Sequence, residues 1–245
     1  NIDDKICTLI RYGVYAMTNN LMPKPSAFVA MAEPCDGLLM VHQLWEETGV
    51  MKDVPVYMID PSYGRTEQDM KYVADQLREL IKFYEKNCGV KYDVNKLREV
   101  VEETNLQYAL WDECNQYMKA SPAPMPSFAM QDAFWYLMQH LLPCGDKRVT
   151  QLMRTVRDMC KANVEKGVGP VMDEQIRIYW PDLDPVWDNE LAAWLAEEWG
   201  AVVVASFTGR TPYEQIDCST EDSMLMGLAR RGTQEVPMIR QGRGW

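Results

Sequence analysis

Seven cysteines are the side chains best suited to do chemistry in this 245-residue chain, and their surroundings sort them. No C-x-x-C pair is present, and disulfide pairing of an odd number would leave one thiol over. That pattern fits reduced thiols in a cytoplasmic protein, or ligands of a metal cluster, better than a disulfide framework. Cys88, Cys114 and Cys160 fall on apolar stripes at helical spacing, where a small hydrophobe is expected. Cys35 differs. It follows a short apolar run of strand length, Ala27–Ala32, and stands just before the start of a helical pattern. Open α/β sheets bind their ligands at that place, beyond the carboxyl end of a strand. The amides and dipole of the following helix would stabilise a thiolate or an anionic cluster there. Cys7 lies 28 positions earlier, followed by Arg11 and Gly13, and by spacing alone suits the core as well as it suits a ligand. Cys144, in Pro143-Cys144-Gly145, and Cys218, in Asp217-Cys218-Ser219, are loop thiols without partner spacing and read as incidental.

Other machinery is missing from the pattern. The two histidines, His42 and His140, are too few for a His-rich zinc site or a His-centred catalytic device. Neither G-x-x-x-x-G-K-[ST] nor G-x-S-x-G is present, and Gly167-Val168-Gly169 runs into Pro170 with no strand before it. Lys and Arg number 25 against 36 Asp and Glu, a net charge of −11, which argues against nucleic acid or an anionic membrane as main partner. No apolar run approaches the roughly 18–20 residues of a membrane span. The opening Asn-Ile-Asp-Asp-Lys has no signal-peptide character. Arg230, Arg231, Arg240 and Arg243 make a basic stretch that reads first as a solvated face.

The elements that must position the cysteines follow from periodicity. Ala27–Ala32 and Val54–Ile59 have strand length, and the pattern from Leu38 to Thr48 is helical and stops at Gly49. Thr66 with Asp69 three residues on predicts a capping box, opening a helix whose face carries Met70, Val73, Ala74 and Leu77 and which Gly89 ends. Strand–helix–strand–helix at this spacing implies parallel pairing. Helices are expected from about 94 to 118, 127 to 142 and 146 to 166, then a boundary at Gly167–Pro170. Beyond it the pattern returns as a strand from Gln175 to Trp180, a helix near Trp187–Trp199 and a strand from Ala201 to Ser206. The expected fold is α/β: two Rossmann- or flavodoxin-like lobes with parallel sheets, 1–90 and 171–245, and an intervening helical segment, 91–170.

Three stretches carry a resemblance to a known family. Cys7-Thr8-Leu9-Ile10-Arg11-Tyr12-Gly13, Pro25-Ser26-Ala27-Phe28-Val29-Ala30 and Cys35-Asp36-Gly37 resemble the 2-hydroxyacyl-CoA dehydratase and benzoyl-CoA reductase family. Val54–Pro61, Ala74-Asp75-Gln76-Leu77, and Trp194–Val204 after Arg177-Ile178 extend it over nearly the whole chain as a weaker pattern. The resemblance implies a [4Fe-4S] cluster held by three cysteines, with Cys7 and Cys35 as the first two ligands. The third is expected in the second lobe, beyond Trp245; Cys218 falls too early for it, so the chain reads as a fragment.

The activity implied is dehydration of an (R)-2-hydroxyacyl-CoA to the enoyl-CoA. One electron enters the thioester carbonyl, and the resulting ketyl radical expels the α-hydroxyl. An ATP-dependent iron–sulfur activator protein would supply the electron and a homologous sister subunit would complete the site. A rival within the family is reduction of benzoyl-CoA or another acyl-CoA, or a double-cubane [8Fe-9S] cluster that reduces small molecules. A rival from another class is a non-catalytic electron-relay or scaffold subunit. Tyr63 and Arg65, after the second strand, are candidate substrate residues, and Arg240 and Arg243 candidate partners of the coenzyme A phosphates; no catalytic side chain is assigned.

Overall fold

The computed structural model describes residues 6–32, 36–49, 52–62, 64–126, 145–171, 173–181, 190–206 and 214–235. Helix α1 (Thr8–Thr18) turns Ile10, Val14 and Met17 to the interior, spaced as one helical face. Strand β1 (Phe28–Met31), helix α2 (Asp36–Thr48) and strand β2 (Val56–Ile59) then form a parallel crossover unit, with Phe28 opposite Val56 and Met31 opposite Ile59. Two further amides extend the ladder, Phe28 N–H donating to Pro55 and Ala32 N–H to Ile59. The buried Ile10, Val14, Met17 and Val41, with Phe28, Leu44 and Val56 against them, join α1 and α2 to the sheet. Helix α3 (Glu67–Cys88) opens on the expected capping box of Thr66 and Asp69 and closes on Gly89, whose φ of 66° is the left-handed conformation glycine accepts most readily.

Helices α4 (Val94–Tyr117) and α5 (Lys147–Lys166) pack together through Leu110, Trp111, Cys114 and Met118 on one side and Val149, Met153 and Cys160 on the other. Strand β3 (Ile176–Trp180), helix α6 (Leu191–Trp199) and strand β4 (Ala201–Ser206) form a second parallel pair. Its register slips between Ile178 and Tyr179. Val202, in the middle of β4, belongs to the same buried cluster as α4 and α5. Helix α7 (Glu221–Arg230) continues into a π-helical turn (Arg231–Glu235).

The chain divides into two compact units. One takes residues 1–93 and 225–245 and holds the β1–β2 pair; the other takes 94–224 and holds β3–β4. The border therefore falls inside α7. Mixed helices and parallel strands make the chain α/β, and the four strands lie within the stretches read as strands in the sequence. The helix expected over 127–142 lies outside the described residues. Among the described residues no helix is long and apolar enough to cross a membrane.

One polar junction gives α5 its start. Gln107, fully buried on α4, donates to the Asp146 carbonyl and to Thr150 Oγ1, while its own carbonyl accepts from Gly145 N–H. Asp146 caps the helix by accepting from the Arg148 amide, and its carboxylate also receives the Arg148 guanidinium. These bonds from Arg148, side chain first and amide second, hold the Asp146 carboxyl down to about 2. A carboxyl depressed on folding contributes stability above its unfolded value of about 4, and loses it as pH falls toward the folded value. The Asp146→Asn variant is therefore expected to lose less of its urea midpoint than wild type between about pH 4 and pH 2, the rest of the fall coming from other depressed carboxyls such as Asp75 and Asp217. Equal acid sensitivity of the two proteins in a pH series would refute this.

Candidate functional site

The amino end of α1 is where the fold exposes a thiol. Cys7 is the residue before the first turn, solvent-exposed, and its carbonyl accepts the Arg11 amide to start the helix. The Cys7 side chain makes no capping hydrogen bond to that turn. First-turn amides and the positive end of the helix dipole thus face whatever group the thiol holds, a setting that favours an anion. Helix α2 begins at Asp36, the residue after Cys35, and β1 ends at Met31, so Cys35 belongs to the stretch linking strand end to helix start. Cys35 itself lies outside the described residues.

The other strand of this pair ends in a loop tied down by α3. Gln76 clamps Asp60 from both sides, accepting its amide at 2.8 Å and donating to its carbonyl at 2.7 Å. Tyr57 Oη donates to the Gln76 carbonyl at 2.8 Å, and Tyr72 Oη to the Asp60 carboxylate at 2.9 Å. That bond, with the carboxylate charge beside it, pushes the Tyr72 hydroxyl above its ordinary range. Asp69 gathers the hydroxyls of Ser62 and Thr66 and the Thr66 amide. Gly64 lies so close to this carboxylate that a Cβ would sit 2.0 Å from Asp69 Oδ2, so the position admits no larger residue without moving the cap. The α3 amino end is thereby occupied by its own cap, in contrast to α1. Arg65, on this loop, is exposed; Tyr63 lies outside the described residues.

The remaining candidates divide between core and surface. Cys114 and Cys160 are completely buried, as their stripes predict, whereas Cys88 at the end of α3 is only half-buried. Cys218 is not an incidental surface thiol. It is half-buried, its thiol donates to the Ile216 carbonyl, and Asn105 approaches its sulfur at 3.9 Å. Asn105 also brackets Ile216, donating to its carbonyl and accepting its amide, and Arg98 donates to the Cys218 carbonyl. The basic stretch does not form one solvated face, since Arg230 is exposed but Arg231 is buried; Arg240, Arg243 and Cys144 lie outside the described residues. Sequence reading missed Gln76 and Asn105, because a lone amide side chain carries no local signal of the backbone it will clamp.

Among the described residues, no three His, Cys, Asp or Glu side chains converge as a metal site. An open groove of about 520 Å³ lies in the second unit, between Asp173, Gln175, Glu197, Trp199 and Gly200. It opens at the amino end of the β3–β4 pair and carries three carboxylates, Asp173, Glu197 and Glu198. A polyanionic ligand such as coenzyme A would be repelled there, and parallel sheets bind at the opposite end. Of the sequence-predicted candidates, Cys35 and Arg65 belong to the stretches that follow β1 and β2, and Cys7 to the start of α1.

This is an α/β protein with parallel strand pairs and an exposed thiol at the start of its first described helix. The chain matches the family described as 2-hydroxyglutaryl-CoA dehydratase, D-component, over residues 1–242, and it belongs to that family. It is 26% identical to lactoyl-CoA dehydratase subunit alpha of Anaerotignum propionicum over 174 residues, which cover 69% of this chain and 39% of that one. It is 23% identical to (R)-phenyllactyl-CoA dehydratase alpha subunit of Clostridium sporogenes over 158 residues, 63% of this chain and 37% of the relative. Against (R)-2-hydroxyglutaryl-CoA dehydratase, subunit alpha, of Acidaminococcus fermentans the identity is 23% over 171 residues, 68% and 34% of the two chains. The chain thus spans less than two fifths of the length of these curated relatives.

Proposed function

We propose that this chain is part of an iron–sulfur subunit of a 2-hydroxyacyl-CoA dehydratase-like enzyme. The enzyme removes water from an (R)-2-hydroxyacyl-CoA to give the enoyl-CoA after one-electron activation. The observation that carries the reading is the family match along residues 1–242. The placement of exposed Cys7 at a helix start supports it. Soft thiols are the donors iron–sulfur clusters use, so Cys7 fits as a ligand by donor type and exposure, with Cys35 the second candidate. When bound, such a cluster supplies one-electron chemistry and, with three protein ligands, an open coordination position.

The chain's own part is positional. Helix α1 presents Cys7 and its first amides, and the Gln76 and Asp69 networks hold the loop after β2 at the same end of the sheet as the entrance to α2. Arg65 on that loop is the candidate for a thioester or phosphate oxygen, and Tyr63 its companion. A homologous sister subunit and an ATP-dependent activator protein are the partners in this reading, with two Rossmann-like lobes as the frame and the cytoplasm as the place. The test is iron and acid-labile sulfide per chain in anaerobically purified full-length protein, with electron paramagnetic resonance after reduction. About four of each is expected. About eight iron would replace the reading with the double-cubane one, and none would leave a scaffold subunit.

A further inference from the structure

Amide, carbonyl and carboxylate of Asp60, the residue that follows β2, are all held by α3. The amide donates to Gln76 Oε1 at 2.8 Å, the carbonyl accepts from Gln76 Nε2 at 2.7 Å, and the carboxylate accepts from Tyr72 Oη at 2.9 Å. Gln76 is anchored in turn, its own carbonyl accepting from Tyr57 Oη of β2 at 2.8 Å. Further along, Asp69 takes the Ser62 and Thr66 hydroxyls and the Thr66 amide, and Ser62 Oγ accepts the Gly64 amide. The loop 60–66 is thus fastened at both ends, with Arg65 between the fastenings.

This is more than the core requires. Among the described residues of the loop only Pro61 is buried, while Asp60, Arg65 and Thr66 are exposed. Exposed loops that pack so little are ordinarily mobile. Directed hydrogen bonds hold this one instead, after the carboxyl end of a parallel strand, where open α/β sheets bind their ligands. A binding side chain held in place before its ligand arrives avoids part of the ordering cost of binding.

We propose that Gln76 is a positioning residue for acyl-CoA, fixing the path of the loop so that the Arg65 guanidinium stands ready for a phosphate of coenzyme A; the inference rests on the dehydratase reading above. The guanidinium suits phosphate by charge and by its fork of donors. Glutamine suits the clamp because one side-chain amide both donates and accepts, matching the N–H and C=O of a single residue. An ionised glutamate only accepts, and leucine does neither. The coenzyme phosphates are remote from the reacting carbons, so their contact is equal in ground state and transition state. Its loss is felt in KM and not in kcat.

The experiment measures kcat and KM of the full-length enzyme, assembled with its sister subunit and activator protein. Two substrates are compared, a 2-hydroxyacyl-CoA and the matching 2-hydroxyacyl-pantetheine thioester, which lacks the phosphates. Gln76→Leu is expected to raise KM for the CoA ester about tenfold, near the lower end of what a hydrogen bond to a charged group is worth. Its kcat and iron content should match wild type, and its KM for the pantetheine ester should not move. Arg65→Ala should behave alike, and adding Gln76→Leu to it should raise KM no further, because the two residues act as one unit. Gln76→Glu keeps the size and the acceptance of the Asp60 amide; it tests the clamp if the leucine variant fails to fold, with a smaller rise in KM. An unchanged KM in a folded Gln76 variant would overturn the proposal, as would an equal loss with the pantetheine ester or a further rise in the double variant. Wild-type enzyme without acyl-CoA turnover would overturn the dehydratase reading itself, and this inference with it.

Discussion

Cys7→Ser, made in the full-length subunit and purified anaerobically with its partner, is expected to lose most of its iron and acid-labile sulfide. Dehydratase turnover should fall by at least ~100-fold, beyond the roughly 10–100-fold effect of residues one shell away from a metal. Serine keeps the size of the side chain but replaces a soft thiolate donor with a hydroxyl that iron–sulfur clusters do not use structurally. The fold should not notice. Cys7 is exposed, and surface changes of that kind stay within about ±0.5 kcal/mol. Circular dichroism and the urea midpoint should therefore match wild type while metal content and turnover collapse. Cys88→Ser, at the half-buried end of α3, is the control expected to keep its cluster. Full iron content in Cys7→Ser would remove Cys7 from the ligand set.

The second large effect concerns stability. Arg177→Ala is expected to destabilise the second unit by about 3 kcal/mol, the lower end of the cost of removing one partner of a buried ion pair. The Glu174 carboxylate, whose side chain is 3% exposed, accepts from Arg177, from Ser121 Oγ and from the Ala123 amide. Arg177 also donates to the carbonyls of Ala120 at 2.9 Å and Met118 at 2.7 Å. Truncation leaves a carboxylate in the interior and strips two carbonyls of their donor. The guanidinium side is 32% exposed, so water reaches part of the gap and moderates the loss. The double variant Arg177→Met, Glu174→Gln should be less destabilised than Arg177→Ala alone, because no charge is left stranded. Urea midpoints of the three proteins check the order. An Arg177→Ala variant as stable as wild type would mean that the pair is solvated.

How much of the molecule is legible in its sequence depends on the range of the interaction. Caps and strand runs are local. Thr66 and Asp69 announced the start of α3, Gly49 followed the end of α2, and Gly89 and Gly167 closed α3 and α5 in left-handed conformation. The run Ala201–Ser206 became β4 residue for residue. The stripes of α4 and α5 put Cys114 and Cys160 in the core, and the stretches around Cys7 and Cys35 carried the resemblance to the family that the chain belongs to. Those signals are written within a few residues of where they act, in the 3.6- and two-residue periods and in terminal hydrogen bonds.

What tertiary structure alone decided is which distant groups meet. Nothing near Cys114 says that its stripe will face the one holding Cys160, and nothing near Glu174 says that the 118–123 turn will close on it. Arg231 reads as part of a basic surface and is buried, while Gln76, given no role by the sequence, grips the end of β2. Periodicity tells a residue which face of its own element it occupies. The partner on the other side is set by how elements pack, and that is a property of the whole chain.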